Sequence, residues 1–329
     1  MNIFKNKTIF IAGGSGTWGT ELTDQLLALD VKEIRIYSRG EISQVAMKNK
    51  YANKHVKFLI GDVRDLEAVI YAMQGSDYVF HLAALKHVGI CEEQPQEAIK
   101  TNINGTINLI NAAIKLKVKK FAFASTDKAI YASNLYGMTK GVCERLIIQA
   151  NALTDDTDFV MTRSGNIMGS SGSAIPLFKK MAQEKNEITV TDGKMTRFFL
   201  PVHEVASLML KALTYGEGGE IFIPFALSFY IGDMAKVMIE RYGKPGYQIT
   251  EIGARPGEKL HEMLVSPHET AYTKLIDADT MVILPSINTN RTYDYSENKG
   301  VDFEVMTSED SVESKEAFRE LLSNNGFLD

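Results

Sequence analysis

The 329-residue chain is poor in cysteine, carries no excess of basic residues and has no long apolar run. Cys91 and Cys143 are its only cysteines and stand without metal-ligand spacing. That argues against a disulfide framework or a zinc site and suits a reducing compartment. Lys and Arg number 36 against 41 Asp and Glu, a net charge of -5, so nucleic acid is not an expected partner. No apolar stretch approaches the ~18 residues that suggest a membrane span. Residues 1–7 run straight into a strand without the apolar core of a signal peptide. The expectation is a soluble, cytoplasmic protein with no membrane partner and no metal. Internal repeats and low-complexity tracts are absent too. With 45% hydrophobic and 23% charged residues, the composition is that of an ordinary globular chain, long enough for one large α/β unit or two modest domains.

What is present is an alternation of apolar strands and amphipathic helices. Thr8–Ala12 is a short apolar run, and Gly13-Gly14-Ser15-Gly16-Thr17-Trp18-Gly19 follows it. Leu22, Leu26, Leu27 and Leu29 then recur at helical spacing. Strand, glycine turn and helix together form a phosphate cradle: the turn is tight, and the helix N-terminus favours negative charge. The spacing is G-x-x-G-x-x-G rather than G-x-G-x-x-G. The second strand, Glu33–Ser38, ends at Ser38-Arg39 with no acid before Glu41. An acid there would hold the ribose 2'-hydroxyl of NAD, whereas Arg39 suits a 2'-phosphate and points to NADP, with NAD the weaker choice. The plainer reading of Arg39 is a solvated loop charge. Val56–Ile60 is a third strand, followed by Gly61-Asp62-Val63; Asp62 either contacts adenine or belongs to the next helix cap. A fourth strand from Tyr78 runs through His81 into Ala83-Ala84-Leu85-Lys86-His87. His81 and His87 lack a supporting carboxylate pattern, so packing or hydrogen bonding suits both better than metal ligation. Gln94–Lys117 reads as one long amphipathic helix with Asn102 facing the site.

A fifth strand, Phe121–Ala124, opens into S-T-D-K-A-I-Y-A-S-N-L-Y-G-M-T-K, residues 125–140. Two protonatable clusters lie within it: Asp127-Lys128, and Tyr136 with Lys140 four residues on, hence on one helix face. The helix continues to Ala150, and Phe159–Thr162 is a sixth strand. Six alternations predict an α/β fold, a Rossmann-type doubly wound parallel sheet with a smaller C-terminal substrate-binding lobe. The expected division is residues 1–166 for dinucleotide binding and 167–329 mainly for substrate, with about 196–228 returning to the first unit. A Gly/Ser-rich loop after Asn166 marks the boundary, and a final helix is expected near Glu316–Leu322.

These motifs resemble those of the extended short-chain dehydrogenase/reductases: the glycine turn, Gly61-Asp62-Val63 and Tyr136-x-x-x-Lys140. More narrowly, the chain resembles the UDP-N-acetylglucosamine 4,6-dehydratases that invert carbon 5, of the pseudaminic-acid pathway type. The residues that carry this are Ala83–Val88, Ser125–Ala129, Asn134–Gly137, Met195–Phe198 and Arg255–Glu262. Departures include Ser164 in place of a Tyr and Ser171 in place of an Arg. The resemblance implies a cofactor site formed by Gly13, Ser15, Gly16, Thr17, Trp18, Gly19, Ser38, Arg39, Asp62, Val63, Ala83, Ala84, Lys86, Tyr136, Lys140 and Asn166. It implies a UDP-N-acetylhexosamine site with Lys86, His87, Asn166, Arg197, Arg255 and Glu258, and a homo-oligomer, a dimer or higher, through helices near 95–117 and 136–150. Tyr136 would take a proton from the carbon 4 hydroxyl, helped by Thr126, with the Lys140 ammonium lowering the phenol's pKa. Lys128 would be the base at carbon 5 and Asp127 the acid for the leaving hydroxyl, provided burial lowers the lysine pKa and raises the carboxyl's. A simple 4-epimerase has no need of this second pair. A retaining 4,6-dehydratase, a UDP-sugar 4-epimerase and a nucleotide-sensing Rossmann protein are the alternatives.

Overall fold

The computed structural model describes residues 2–52, 54–170, 172–287, 289 and 291–328. The first half alternates strictly: β1 (Thr8–Ala12), α1 (Thr17–Leu27), β2 (Glu33–Ser38), α2 (Glu41–Lys50), β3 (Val56–Ile60), α3 (Leu66–Met73) and β4 (Tyr78–His81). Two short helices follow, α4 (Val88–Glu93) and α5 (Pro95–Ala98). A π-helical turn (Ile99–Asn104) leads from them into α6 (Gly105–Leu116). Then come β5 (Lys120–Thr126), a 3-10 turn (Asp127–Ala129), α7 (Leu135–Ala150) and β6 (Asp158–Ser164). The long helix expected over Gln94–Lys117 is present as one unbroken helical run, begun by Pro95 and ending at Leu116, in which the π turn shifts the face part-way along.

The later elements are β7 (Asn166–Ile167), α8 (Ala174–Lys185), β8 (Glu187–Val190), β9 (Thr196–Leu200), α9 (Val202–Tyr215), β10 (Ile221–Pro224), β11 (Leu227–Tyr230) and α10 (Ile231–Tyr242). After them lie β12 (Gln248–Glu251), β13 (Met263–Val265), α11 (Pro267–Thr270), β14 (Thr273–Leu275), β15 (Thr280–Ile283), β16 (Met306–Thr307) and α12 (Lys315–Asn324).

The main sheet has nine strands in the order β14-β15-β10-β6-β5-β4-β1-β2-β3. Pairing is parallel from β3 through β10, and β15 adds antiparallel to β10. Within it, 3-2-1-4-5-6 is the doubly wound order, with its switch point between β1 and β4. The burial of β1 explains its unbroken apolar sequence: all five residues are buried, because helices cover both faces of a parallel sheet. Phe10 and Ala12 pack on one face with residues of α3, α6 and α7. Ile9 and Ile11 pack on the other with α1 and α9. A separate core of Phe178, Ile188, Phe199, Phe229, Met238 and Phe318 forms among α8, α10, α12 and the short strands beside them. No described helix is long and apolar enough to cross a membrane.

Candidate active site

The C-terminal ends of β1 to β6 open into one cleft of about 790 Å³. Its floor is the turn after β1. Gly13 stands at φ +78°, and a Cβ there would come 2.6 Å from the Ala83 backbone nitrogen, so only glycine lets the β1 and β4 ends approach this closely. Gly16 precedes α1 with no side-chain cap, which leaves the amides of the first helical turn available to an anion. The Trp18 indole nitrogen is buried and has no hydrogen-bond partner among the described residues. An uncapped helix start, a pinched glycine turn and an unpartnered donor fit a dinucleotide diphosphate.

Gly13, Gly16, Thr17, Trp18 and Gly19 line this part of the cleft. Ser15 does not; its hydroxyl donates to Ser38 Oγ at 2.9 Å and ties the turn to the end of β2. Ser38, Arg39, Asp62 and Val63 line the neighbouring wall. Asp62 accepts from Arg64 Nε at 2.8 Å and Nη2 at 2.6 Å, and lies 3.8 Å from Arg39. It caps nothing: Asp65 is the α3 cap, accepting from the Ala68 amide. Ala83, Ala84, Lys86 and His87 line the β4 end. Asn102 does not face the cleft. It is buried, accepts from the Leu85 amide at 2.8 Å, and donates to the Leu85 carbonyl at 3.0 Å and to Thr139 at 2.9 Å. Its role is to brace the β4 loop against α7. His81 is likewise internal, 2.9 Å from the Thr106 hydroxyl.

The chemistry-bearing groups meet at the end of β5. Asn134 caps α7 by accepting from the Gly137 amide at 2.9 Å. Gly137 lies so near the 3-10 turn that a Cβ would come 2.1 Å from the Lys128 carbonyl oxygen. Thr126, Lys128, Tyr136 and Lys140 line the cleft together. Lys140 Nζ donates to the Ala124 carbonyl at 2.7 Å and sits 4.3 Å over the Phe123 ring. Burial brings this lysine down to about 8, against smaller opposing effects of Cys143 and Glu144. Burial also drives Tyr136 up to about 12, with the Lys128 charge and the Thr126 hydroxyl pulling the other way. The phenol is therefore not lowered as the Tyr-Lys spacing suggested. Lys140 is itself starved of charge stabilisation, and the cation acting on Tyr136 is Lys128.

Lys128 departs from expectation in the same way. Burial alone would lower it, but the Asp127 and Glu262 carboxylates outweigh burial and hold it above the ordinary lysine range. Its Nζ donates to Asp127 Oδ1 at 2.9 Å and to Asn166 Oδ1 at 3.4 Å, and lies 3.3 Å from Glu262 Oε1. Asp127 is fully buried behind the lining. Burial raises its carboxyl, Lys128 opposes this, and Glu262 adds to the rise. Arg197 and the Arg255–Glu258 turn stand apart from the cleft lining. Arg197 is buried, and its guanidinium donates to the carbonyls of Thr196 at 2.7 Å and Leu260 at 3.1 Å. Arg255 is exposed, and its amide donates to Glu258 at 3.0 Å.

Sequence reasoning passed over Thr101, Ser170 and Ser173, which line the cleft together with Ser164, the position of the noted departure. The Gly/Ser-rich composition after β6 was the only trace of Ser170 and Ser173. Ser171 lies outside the described residues.

The polysaccharide biosynthesis protein family matches residues 9–284. The chain belongs to that family. A UDP-glucose 4-epimerase from Rickettsia canadensis is 41% identical over 275 residues, 82% of this chain and 80% of the relative. The X-ray structure of Pen from Bacillus thuringiensis has a TM-score of 0.94 at 39% identity, over 99% of this chain and 100% of that one. DesIV from Streptomyces venezuelae, a dTDP-glucose 4,6-dehydratase solved with NAD and TYD, has a TM-score of 0.70 at 21% identity, over 77% and 86% of the two chains. That likeness concerns the fold. Relatives from other Rickettsia species, 40–42% identical over 275 residues, bear the same name, UDP-glucose 4-epimerase.

Proposed function

We propose that the protein is a UDP-N-acetylglucosamine 4,6-dehydratase that inverts carbon 5. The observation that carries this reading is the Asp127-Lys128 pair beside Tyr136, its carboxylate buried and its ammonium at the cleft, 2.9 Å apart. A 4-epimerase oxidises and re-reduces carbon 4 and requires no second acid and base; elimination of water across carbons 5 and 6 requires both. The pair supplies them by moving one proton across its own hydrogen bond. Lys128 as ammonium with Asp127 as carboxylate becomes Lys128 as amine with Asp127 as carboxylic acid. A substrate that excludes water from the site favours the uncharged form.

In this reading Tyr136 accepts the proton of the carbon 4 hydroxyl, and Thr126 holds that hydroxyl. Lys128 removes the carbon 5 proton, which the new ketone has acidified, and Asp127 protonates the departing carbon 6 hydroxyl. A nicotinamide dinucleotide in the cleft would supply the acceptor of two electrons from carbon 4 and their donor to carbon 6; carbon 5 then takes up a proton, on the opposite face if it is inverted, so the net change is loss of one water. The resemblance implies Asp-Glu at these positions in a retaining dehydratase, so Asp127-Lys128 favours inversion. Arg39 at the cleft wall, with no acid ending β2, favours NADP. Arg39→Ala should weaken binding of NADP about tenfold or more and leave NAD little changed, read by titration calorimetry. An equal effect on both would remove the preference.

Incubation with UDP-N-acetylglucosamine should give a 4-keto-6-deoxy product lighter by one water, and proton couplings at carbon 5 report inversion or retention. A second reading, the 4-epimerase, draws on the 41%-identical Rickettsia relative and on the fully charged state in which Lys128 rests. It predicts a product of unchanged mass.

A further inference from the structure

An ammonium has three protons, and Lys128 finds three acceptors: Asp127, Asn166 and Glu262. Two of these come from the strand ends that frame the cleft. The third comes from a distant part of the chain, immediately before β13. The main chain fixes Glu262 firmly there. Its amide donates to Ser308 Oγ at 2.9 Å, and its carbonyl accepts from the Ser308 amide at 2.8 Å. Its side chain is buried, and Oε2 has no hydrogen-bond partner among the described residues. An anion in such a place is costly unless cations face it closely. Lys128 at 3.3 Å and Arg197 Nε at 3.8 Å do so, with the Lys259 charge further off.

We propose that Glu262 is a positioning residue for Lys128, directing its ammonium and holding its proton until a substrate occupies the cleft. The inference deepens the dehydratase reading and rests on it for its role in turnover. The groups facing this proton are Asp127, Glu262, Arg197, Lys259 and Tyr136. The two carboxylates retain the proton and Arg197 repels it. Removing Glu262 therefore leaves Lys128 with one carboxylate, and its proton leaves at lower pH. Removing Asp127 would do the same while deleting the acid, so Glu262 is the position at which proton retention and acid catalysis come apart.

The test reads the lysine directly, in the full-length protein labelled with carbon-13 at lysine Cε, with a Lys128→Met spectrum assigning the resonance. In the wild type Lys128 should titrate above the other lysines. In Glu262→Gln its midpoint should fall by about one pH unit or more, while Lys140 keeps its midpoint near 8. Glu262→Asp, which draws the charge back by one methylene, should give an intermediate value and serves if the Gln variant does not fold. A Lys128 midpoint unchanged in either variant, or a wild-type Lys128 that titrates in the ordinary lysine range, overturns the proposal. The readout is independent of turnover. If UDP-N-acetylglucosamine loses no water, the dehydratase reading fails while Glu262 is still judged by the titration. If water is lost, the rising limb of the pH–rate profile should move to lower pH in Glu262→Gln.

Discussion

Lys140 is held in the core at a cost to stability. The unfolded chain takes up its proton near 10.5, and the folded chain takes it up only near 8. Between those values the unfolded state binds more protons, so stability rises with pH across that window; below about 8 the penalty of a buried ammonium is fully present. Replacing Lys140 by Met should therefore stabilise the protein at pH 7 by on the order of 2–3 kcal/mol, with the gain shrinking as pH approaches 10.5. Thermal unfolding at several pH values checks this, and a Met variant that is less stable at pH 7 contradicts it. The same variant should lose turnover by about a hundredfold or more, because Lys140 lines the cleft one helical turn from Tyr136 and its donor group is gone. A variant that gains stability and loses turnover would mark Lys140 as part of a site selected for chemistry.

At the scale of elements, the site depends on how closely α7 lies on the turn after β5. Gly137 permits that contact: an alanine methyl would come 2.1 Å from the Lys128 carbonyl oxygen. Gly137→Ala should push the helix start from the turn and separate Tyr136 from Lys128. Turnover should fall at least about tenfold, with a stability loss of about 1–3 kcal/mol. Steady-state kinetics alongside denaturant unfolding measure both, and full activity in this variant would show that the contact is dispensable. This arrangement was partly legible in the sequence. Tyr136 and Lys140 share a helix face by local spacing alone, and Asp127-Lys128 are adjacent, so the contents of the stretch were readable. Their charge states were not. These depend on Glu262, brought in from beside β13, and on burial, and neither leaves a local signature. Asn102 was misplaced for a related reason: its helix changes face at a π turn, which a steady 3.6-residue period does not show.

At the scale of the molecule, the parallel order from β3 to β6 was legible because each strand is a short apolar run between helical periods. The two strands added beyond β10, β14 and β15, are three and four residues long and follow irregular segments, so periodicity had too little length to find them. Arg163 joins this later region to the site. From β6, fully buried, it donates to Glu144 on α7 at 3.1 and 2.8 Å, to Glu269 on α11 at 3.1 and 2.9 Å, and to the Leu264 carbonyl of β13 at 2.9 Å. Arg163→Met leaves two carboxylates without a cation and should cost about 3–5 kcal/mol. Urea unfolding would show it as a lowered midpoint, and a loss under about 1 kcal/mol would mean the network is structurally idle. Because β13 follows Glu262 directly, the variant should also disturb the Lys128 environment.

The proposed role of Asp127 and Lys128 is to add an elimination to a carbon 4 oxidation. Its most direct test is the product formed from UDP-N-acetylglucosamine in heavy water, examined by mass spectrometry and proton NMR. An inverting dehydratase gives loss of one water, a methyl group at carbon 6 and deuterium at carbon 5 in the inverted configuration. A product of unchanged mass, inverted only at carbon 4 and free of deuterium at carbon 5, would contradict it.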